Sequence, residues 1–176
     1  ELAATINLDD ISHIAFLEKN AGLPELLSFR YNPGNLKKGN DIIGKPEDAK
    51  YGFTEKQIME GYKIIKEKGV KRFGIHTMVA SNELNEDYFI ETAELMFNLV
   101  LKIWKQLGIR MEFVNLGGGI GIPYKPDSVA VNLHRVSSGI KQKYDEIIKA
   151  NGLAPLKIYL EAGRIIERGS HEKLIE

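Results

Sequence analysis

Short apolar runs beginning near residues 5, 26, 72, 111 and 156 alternate with stretches of helical periodicity along the sequence. Strand and helix in strict alternation argue for parallel strands joined by crossover helices, because a parallel pair needs a long connection that packs back on the sheet. Five such βα units fall short of a closed eight-unit barrel, which takes about 250 residues. The 176-residue chain is therefore predicted to be α/β, either an open sheet or a partial (β/α)8 barrel of about five units.

The predicted strands cover 5–8, 25–31, 71–79, 111–116 and 156–160. Between them, helices are expected after Asp9-Asp10, after Thr54, from Asn85-Glu86-Asp87 to Gly108, and over 130–150. Small polar residues before an apolar stripe cap a helix start, and glycine closes its end. Asp9-Asp10 reads as such a cap in preference to a metal site. On the long helix, Phe89, Ala93, Met96, Val100, Ile103, Trp104 and Leu107 recur at steps of three and four, the stripe of a buried face. Residues 34–53 are polar, glycine-bearing and long for a loop, and unstructured connections of that size in compact domains are often functional.

Lysine plus arginine and aspartate plus glutamate both number 24, so no charge excess favours nucleic acid or an anionic membrane. No membrane-length apolar run or signal-peptide pattern is present, and cysteine is absent. That removes disulfides, thiol nucleophiles and cysteine metal sites, and no metal is expected. A cytoplasmic enzyme fits these bounds. His13, His134 and His171 fall on helices or the tail and read as surface residues.

The fourth strand empties into Gly117-Gly118-Gly119. Glycine permits positive φ and close backbone approach, and successive N–H groups in such a turn form an anion cup, usually for phosphate. The dinucleotide fingerprint fails because Ile122 stands where a third glycine is needed. The P-loop fails because no Gly-Lys-Ser/Thr follows. A plain tight turn is the competing reading.

In βα folds the chemistry gathers at the C-terminal ends of strands. Those ends carry Asp9-Asp10, then Arg30 with Asn32, then His76 to Ser81, then Gly117 to Gly119, then Glu161 with Arg164. A carboxylate facing a pyridine nitrogen keeps it protonated, since an opposite charge favours the charged form. A protonated ring is the better electron sink, the work of pyridoxal phosphate.

These residues together resemble the barrel domain of the fold-type III pyridoxal-phosphate decarboxylases, an alanine-racemase-like barrel, most closely those of the diaminopimelate type. Asn7-Leu8-Asp9-Asp10 resembles the strand-four segment, and Phe29-Arg30-Tyr31-Asn32-Pro33 the Arg-x-Asn-Pro motif. Lys50-Tyr51-Gly52 resembles the Lys-Phe-Gly loop, and Gly74 to Ser81 resembles Gly-x-His-x-His-x-Gly-Ser. Leu116 to Gly121 resembles the phosphate loop, and Glu161-Ala162-Gly163-Arg164 resembles Glu-Pro-Gly-Arg. The last two motifs at this separation are the specific ones.

The resemblance spans roughly 4–166. It implies pyridoxal 5'-phosphate as cofactor, with Gly117, Gly118, Gly119, Ser81, Gly163 and Arg164 at its phosphate. Glu161 would face the pyridine nitrogen, and Arg30 would lie near cofactor or substrate. The implied reaction is decarboxylation of meso-diaminopimelate to L-lysine, with ornithine, arginine or carboxynorspermidine as alternative substrates. A non-catalytic phosphate-ligand-binding fragment is the reading from another class.

Three departures stand out. Met78 aligns with the histidine that stacks on the cofactor ring, and His76 is offset by two positions on the same strand, so either could cover the ring. Ala162 replaces a proline. The Schiff-base lysine belongs to the first barrel strand and the completing β-domain follows the barrel, so neither is expected within this sequence. A five-unit slice would expose strand edges, and association into a homodimer or higher oligomer is expected. Residues 167–176 form a separate tail. Gly163 to Leu174 resembles the closing segment of ABC-transporter ATPases, and with no Walker motif upstream it reads as chance or a foreign tail.

Overall fold

The computed structural model describes residues 4–34, 51–124 and 127–161. Within them a single parallel sheet carries β1 (Ile6–Leu8), β2 (Leu26–Arg30), β3 (Arg72–His76), β4 (Met111–Asn115) and β5 (Lys157–Tyr159), in spatial order β1-β2-β3-β4-β5. Helices α1 (Ser12–Ala21), α2 (Glu55–Glu67), α3 (Glu86–Leu107) and α4 (Leu133–Lys143) lie between them in sequence. Every neighbouring pair is parallel and sequential, the winding of a barrel wall.

The helix starts follow local chemistry. Thr54 forms a full capping box with Gln57 at the head of α2. Asn85 accepts from Asp87 N at the head of α3, and Gly108 ends that helix in the left-handed region at φ 63°. At α1, Asp10 Oδ1 accepts from Ser12 N at 2.8 Å and Ser12 Oγ at 2.6 Å, so Asp10 serves the helix entry as expected.

Side chains alternate between the two faces of the sheet. Leu27, Phe29, Ile75 and Val114 join the core under the helices, where Phe29 stacks on Phe53 at 4.5 Å and on Tyr62 at 4.6 Å. The opposite face carries Asn7, Ser28, Arg30, Gly74, His76, Phe113, Asn115 and Tyr159, as the registers require. Here the Phe113 ring fills the space that a side chain at Gly74 would need and lies 5.2 Å from the ring of Tyr159.

Three expectations need correction. The third strand ends at His76, not at 79, because residues 77–81 turn outward to meet the glycine loop. The stripe on α3 buries Phe89, Ala93, Met96, Val100 and Ile103, together with Phe97. Trp104 is 37 % exposed and packs its ring against the Arg110 guanidinium instead. The helix over 130–150 widens into π-helical winding at Tyr144–Lys149, which sets Tyr144 edge-on to Phe97 and fully buries Ile148. The 34–53 loop lies mostly outside the described residues, as do Lys50, Ala162, Gly163, Arg164, His171 and the tail. No helix among the described residues is long and apolar enough to cross a membrane.

Candidate active site

Arg30, His76, Asn115 and Tyr159 are the last residues of four adjacent strands, and the register pairs them directly with one another. They form one row along the C-terminal rim. At the β1 end the row continues to Asp9, whose Oδ1 lies 3.7 Å from Arg30 Nη1. Arg30 also donates to the Met78 carbonyl at 3.4 Å and stacks its guanidinium 4.3 Å from the centre of the Tyr51 ring. An arginine held on three sides is a fixed cationic fork for a carboxylate or phosphate.

His76 sits at the centre of the row with its side chain 12 % exposed. Asn7 Nδ2 donates to His76 Nδ1 at 3.2 Å, which leaves the neutral ring's proton on Nε2. Nε2 faces Glu161 Oε1 at 3.3 Å but lies off the direction a hydrogen bond requires, and among the described residues this buried atom has no hydrogen-bond partner. Burial pushes the imidazole below its ordinary range; Glu161 opposes that, Arg30 adds to it, and Asp9 opposes it.

Glu161 stands on the same rim as the glycine loop. Its backbone N–H donates to the Gly117 carbonyl at 2.8 Å, and its Oε1 accepts from Asn115 Nδ2 at 2.9 Å. Among the described residues Oε2 takes no hydrogen bond, and the side chain is half-exposed.

The glycine triplet is demanded mainly by close approach. A side chain at Gly117 would overlap the Thr77 carbonyl, one at Gly118 the Glu161 carbonyl, and one at Gly119 the Ala80 carbonyl. Gly117 and Gly119 have φ of 72° and 79°, which L side chains rarely adopt. The loop is thus wedged between the segments after β3 and β5. Pairing of Glu83 with Ile120, and Asn82 Oδ1 accepting from Ile122 N at 3.0 Å, extend this seam. Two N–H groups expected to face outward turn inward instead: Gly117 donates to Asn115 Oδ1 at 2.8 Å and Gly118 to Met78 Sδ at 3.2 Å. Ser81 lies against Gly119 in the same seam.

The structure therefore brings Arg30, His76, Met78, Ser81, Gly117, Gly118, Gly119 and Glu161 to one rim, while Gly163 and Arg164 lie outside the described residues. Asn7 and Asn115 escaped the reading of the sequence. Their signal was available, since each is a polar residue on the strand face that carries the histidine.

Parallel βα units with their polar groups gathered on the C-terminal rim define a segment of a (β/α)8 barrel of the enzymatic type. Residues 3–167 match the family described as pyridoxal-dependent decarboxylase, pyridoxal binding domain, and the chain belongs to that family. Its cofactor is pyridoxal phosphate. Protein TabA of Pseudomonas amygdali pv. tabaci is 29 % identical over 99 % of this chain and 40 % of its own length. A diaminopimelate decarboxylase of Staphylococcus aureus is 31 % identical over 90 % of this chain and 38 % of its own length. A crystal structure of diaminopimelate decarboxylase from M. jannaschii superposes with a TM-score of 0.74 at 27 % identity, covering 89 % of this chain and 37 % of that one. The chain spans about two fifths of the length of the curated relatives it matches.

The donor set suits that cofactor. Among the described residues, an acid with one unengaged oxygen lies beside a loop that side chains cannot enter, and a buried ring nitrogen next to the acid lacks a hydrogen-bond partner.

Proposed function

We propose that this chain serves pyridoxal-phosphate-dependent decarboxylation of meso-diaminopimelate to L-lysine. The observation that carries this reading is the placement of Glu161 against the glycine loop, within 3.3 Å of His76. In this reading Glu161 holds a proton on the pyridine nitrogen through Oε2. Gly119 and Ser81, with Gly163 and Arg164, bind the phosphate, while Gly117 and Gly118, whose N–H groups serve Asn115 and Met78, shape the wall of the cup.

Met78 touches Gly118 and so flanks the phosphate end, whereas His76 touches Glu161 and flanks the nitrogen end. Arg30, clamped by Asp9 and Tyr51, orients an anionic group of cofactor or substrate. Pyridoxal phosphate, when bound, supplies the electron sink for the pair left behind as the carboxylate departs. Carbon dioxide leaves and the same carbon gains a proton, so one amino acid gives one amine and one carbon dioxide.

Relatives named diaminopimelate decarboxylase from several organisms, at 28–32 % identity, support this substrate. TabA and an L-glutamyl-[BtrI acyl-carrier protein] decarboxylase of Niallia circulans are also similar, the latter at 22 % identity, so the substrate must be decided at the bench. The intact polypeptide that carries this segment is purified with pyridoxal phosphate and offered meso-diaminopimelate, ornithine, arginine and carboxynorspermidine. Carbon dioxide and L-lysine from the first alone are expected. Release from another substrate overturns the specificity; no release, with no visible absorbance from bound cofactor, overturns the class.

A further inference from the structure

The geometry points to Asn115 as a positioning residue that sets the distance between the phosphate loop and the acid, a role that rests on the reading of Glu161 given above. Asn115 closes β4, with His76 and Tyr159 as its neighbours in the sheet. Its amide works in both directions at once: Nδ2 donates to Glu161 Oε1 at 2.9 Å, and Oδ1 accepts from the Gly117 N–H at 2.8 Å. An ionised carboxylate can only accept and an ammonium can only donate, so neither does both.

The consequence is mechanical. A half-exposed glutamate samples several rotamers. With Oε1 held by Asn115, and the His76 ring nitrogen 3.3 Å from the same oxygen, Oε2 is the oxygen left to meet a ligand. The other hydrogen bond fixes the first residue of the glycine turn. One side chain thus couples the two ends of an elongated aromatic phosphate. Both hydrogen bonds of Asn115 go to the protein, so its part is to act through Glu161 and Gly117.

The test uses the intact polypeptide, with pyridoxal phosphate binding read by equilibrium dialysis across pH, and folding followed by circular dichroism. Asn115→Asp is nearly isosteric and still accepts from Gly117, but it loses the donor to Glu161 and sets a second carboxylate beside it. Asn115→Leu removes both bonds. Around this pair the charged and titratable groups are His76 from β3, Arg30 from β2, Asp9 beyond β1 and Tyr159 on β5.

Relative to the wild-type curve, N115D is expected to weaken cofactor binding about 10- to 100-fold near neutral pH, the range for loss of a hydrogen bond to a charged group. Binding should recover toward the wild-type curve in acid, where a proton shared by the two carboxyls restores a donor. N115L should be weak throughout, without recovery. If N115D binds as wild type at neutral pH, Asn115 merely caps the glycine turn and the proposal falls. Absence of recovery in acid by a folded N115D also overturns it. Wild-type protein that takes up no pyridoxal phosphate overturns the cofactor reading itself, a result distinct from either.

Discussion

Gly74 and Phe113 are a matched pair across β3 and β4, and separating them should reveal how far the rim depends on the strands beneath it. A methyl group at Gly74 would overlap the Phe113 ring, which is only 6 % exposed and packs against Tyr159. Gly74→Ala must displace that ring, and overpacking of this kind costs about 1–3 kcal/mol. The better strand entropy of alanine returns about 0.5 kcal/mol, leaving a net loss of about 1.5 kcal/mol. Phe113→Ala leaves a void, and large aromatic truncations cost about 3–5 kcal/mol; one ring against one face of a sheet belongs near 3 kcal/mol. If the two changes were independent, the double variant would lose about 4.5 kcal/mol. The methyl group instead enters the void, so a loss of about 2.5 kcal/mol is expected, a coupling of about 2 kcal/mol. Urea unfolding of the four proteins followed by circular dichroism measures the cycle. Additivity within about 0.5 kcal/mol would refute the argument that the glycine exists to admit the ring.

Three further outcomes follow from the same structure. Arg72 donates to Glu112 at 2.7 and 2.9 Å and Lys157 adds a third contact, which hold the Glu112 carboxyl down to about 2. Its contribution is present above the ordinary carboxylate range and is lost as pH falls through about 2; because the partners are solvent-exposed, Glu112→Gln should cost only about 1 kcal/mol in an unfolding titration. Burial lowers the His76 imidazole, so the unfolded chain binds that proton first, and stability should fall as pH drops through the ordinary histidine range; His76→Gln should flatten that limb of a pH-dependent melting series. Thr54→Ala breaks the capping box of α2 and should lower stability by about 1 kcal/mol in denaturant, whereas Thr54→Ser should retain most of it.

The order of elements was legible because period and punctuation agree locally: Thr54, Asn85 and Gly108 each announce a helix boundary that the structure keeps. Trp104 was misjudged because its spacing fits the stripe of α3 but lies at its edge: Ile103 is fully buried and Leu107 packs on the core, while the Trp104 ring lies against the Arg110 guanidinium. At the site, Glu161 and the glycines announced themselves by residue type. The asparagines were less plain, because Asn7 reaches His76 and Asn115 reaches Glu161, 69 and 46 residues away, and only their place on the strand face that carries the histidine marked them. The glycines themselves are explained differently by the structure. Their first demand comes from the carbonyls of Thr77, Ala80 and Glu161, not from a ligand.

Because Arg30, His76, Asn115 and Tyr159 stand abreast on four strands, chemistry and strand alignment are inherited as one property. A slip of a single residue in any of these strands would present Phe29, Ile75, Val114 or Ile158 in its place and send the polar group into the oily layer beneath the helices. A chain misaligned in this way could keep nearly all its backbone pairing and yet be chemically blank. Selection on the reaction therefore also polices the way the sheet zips together.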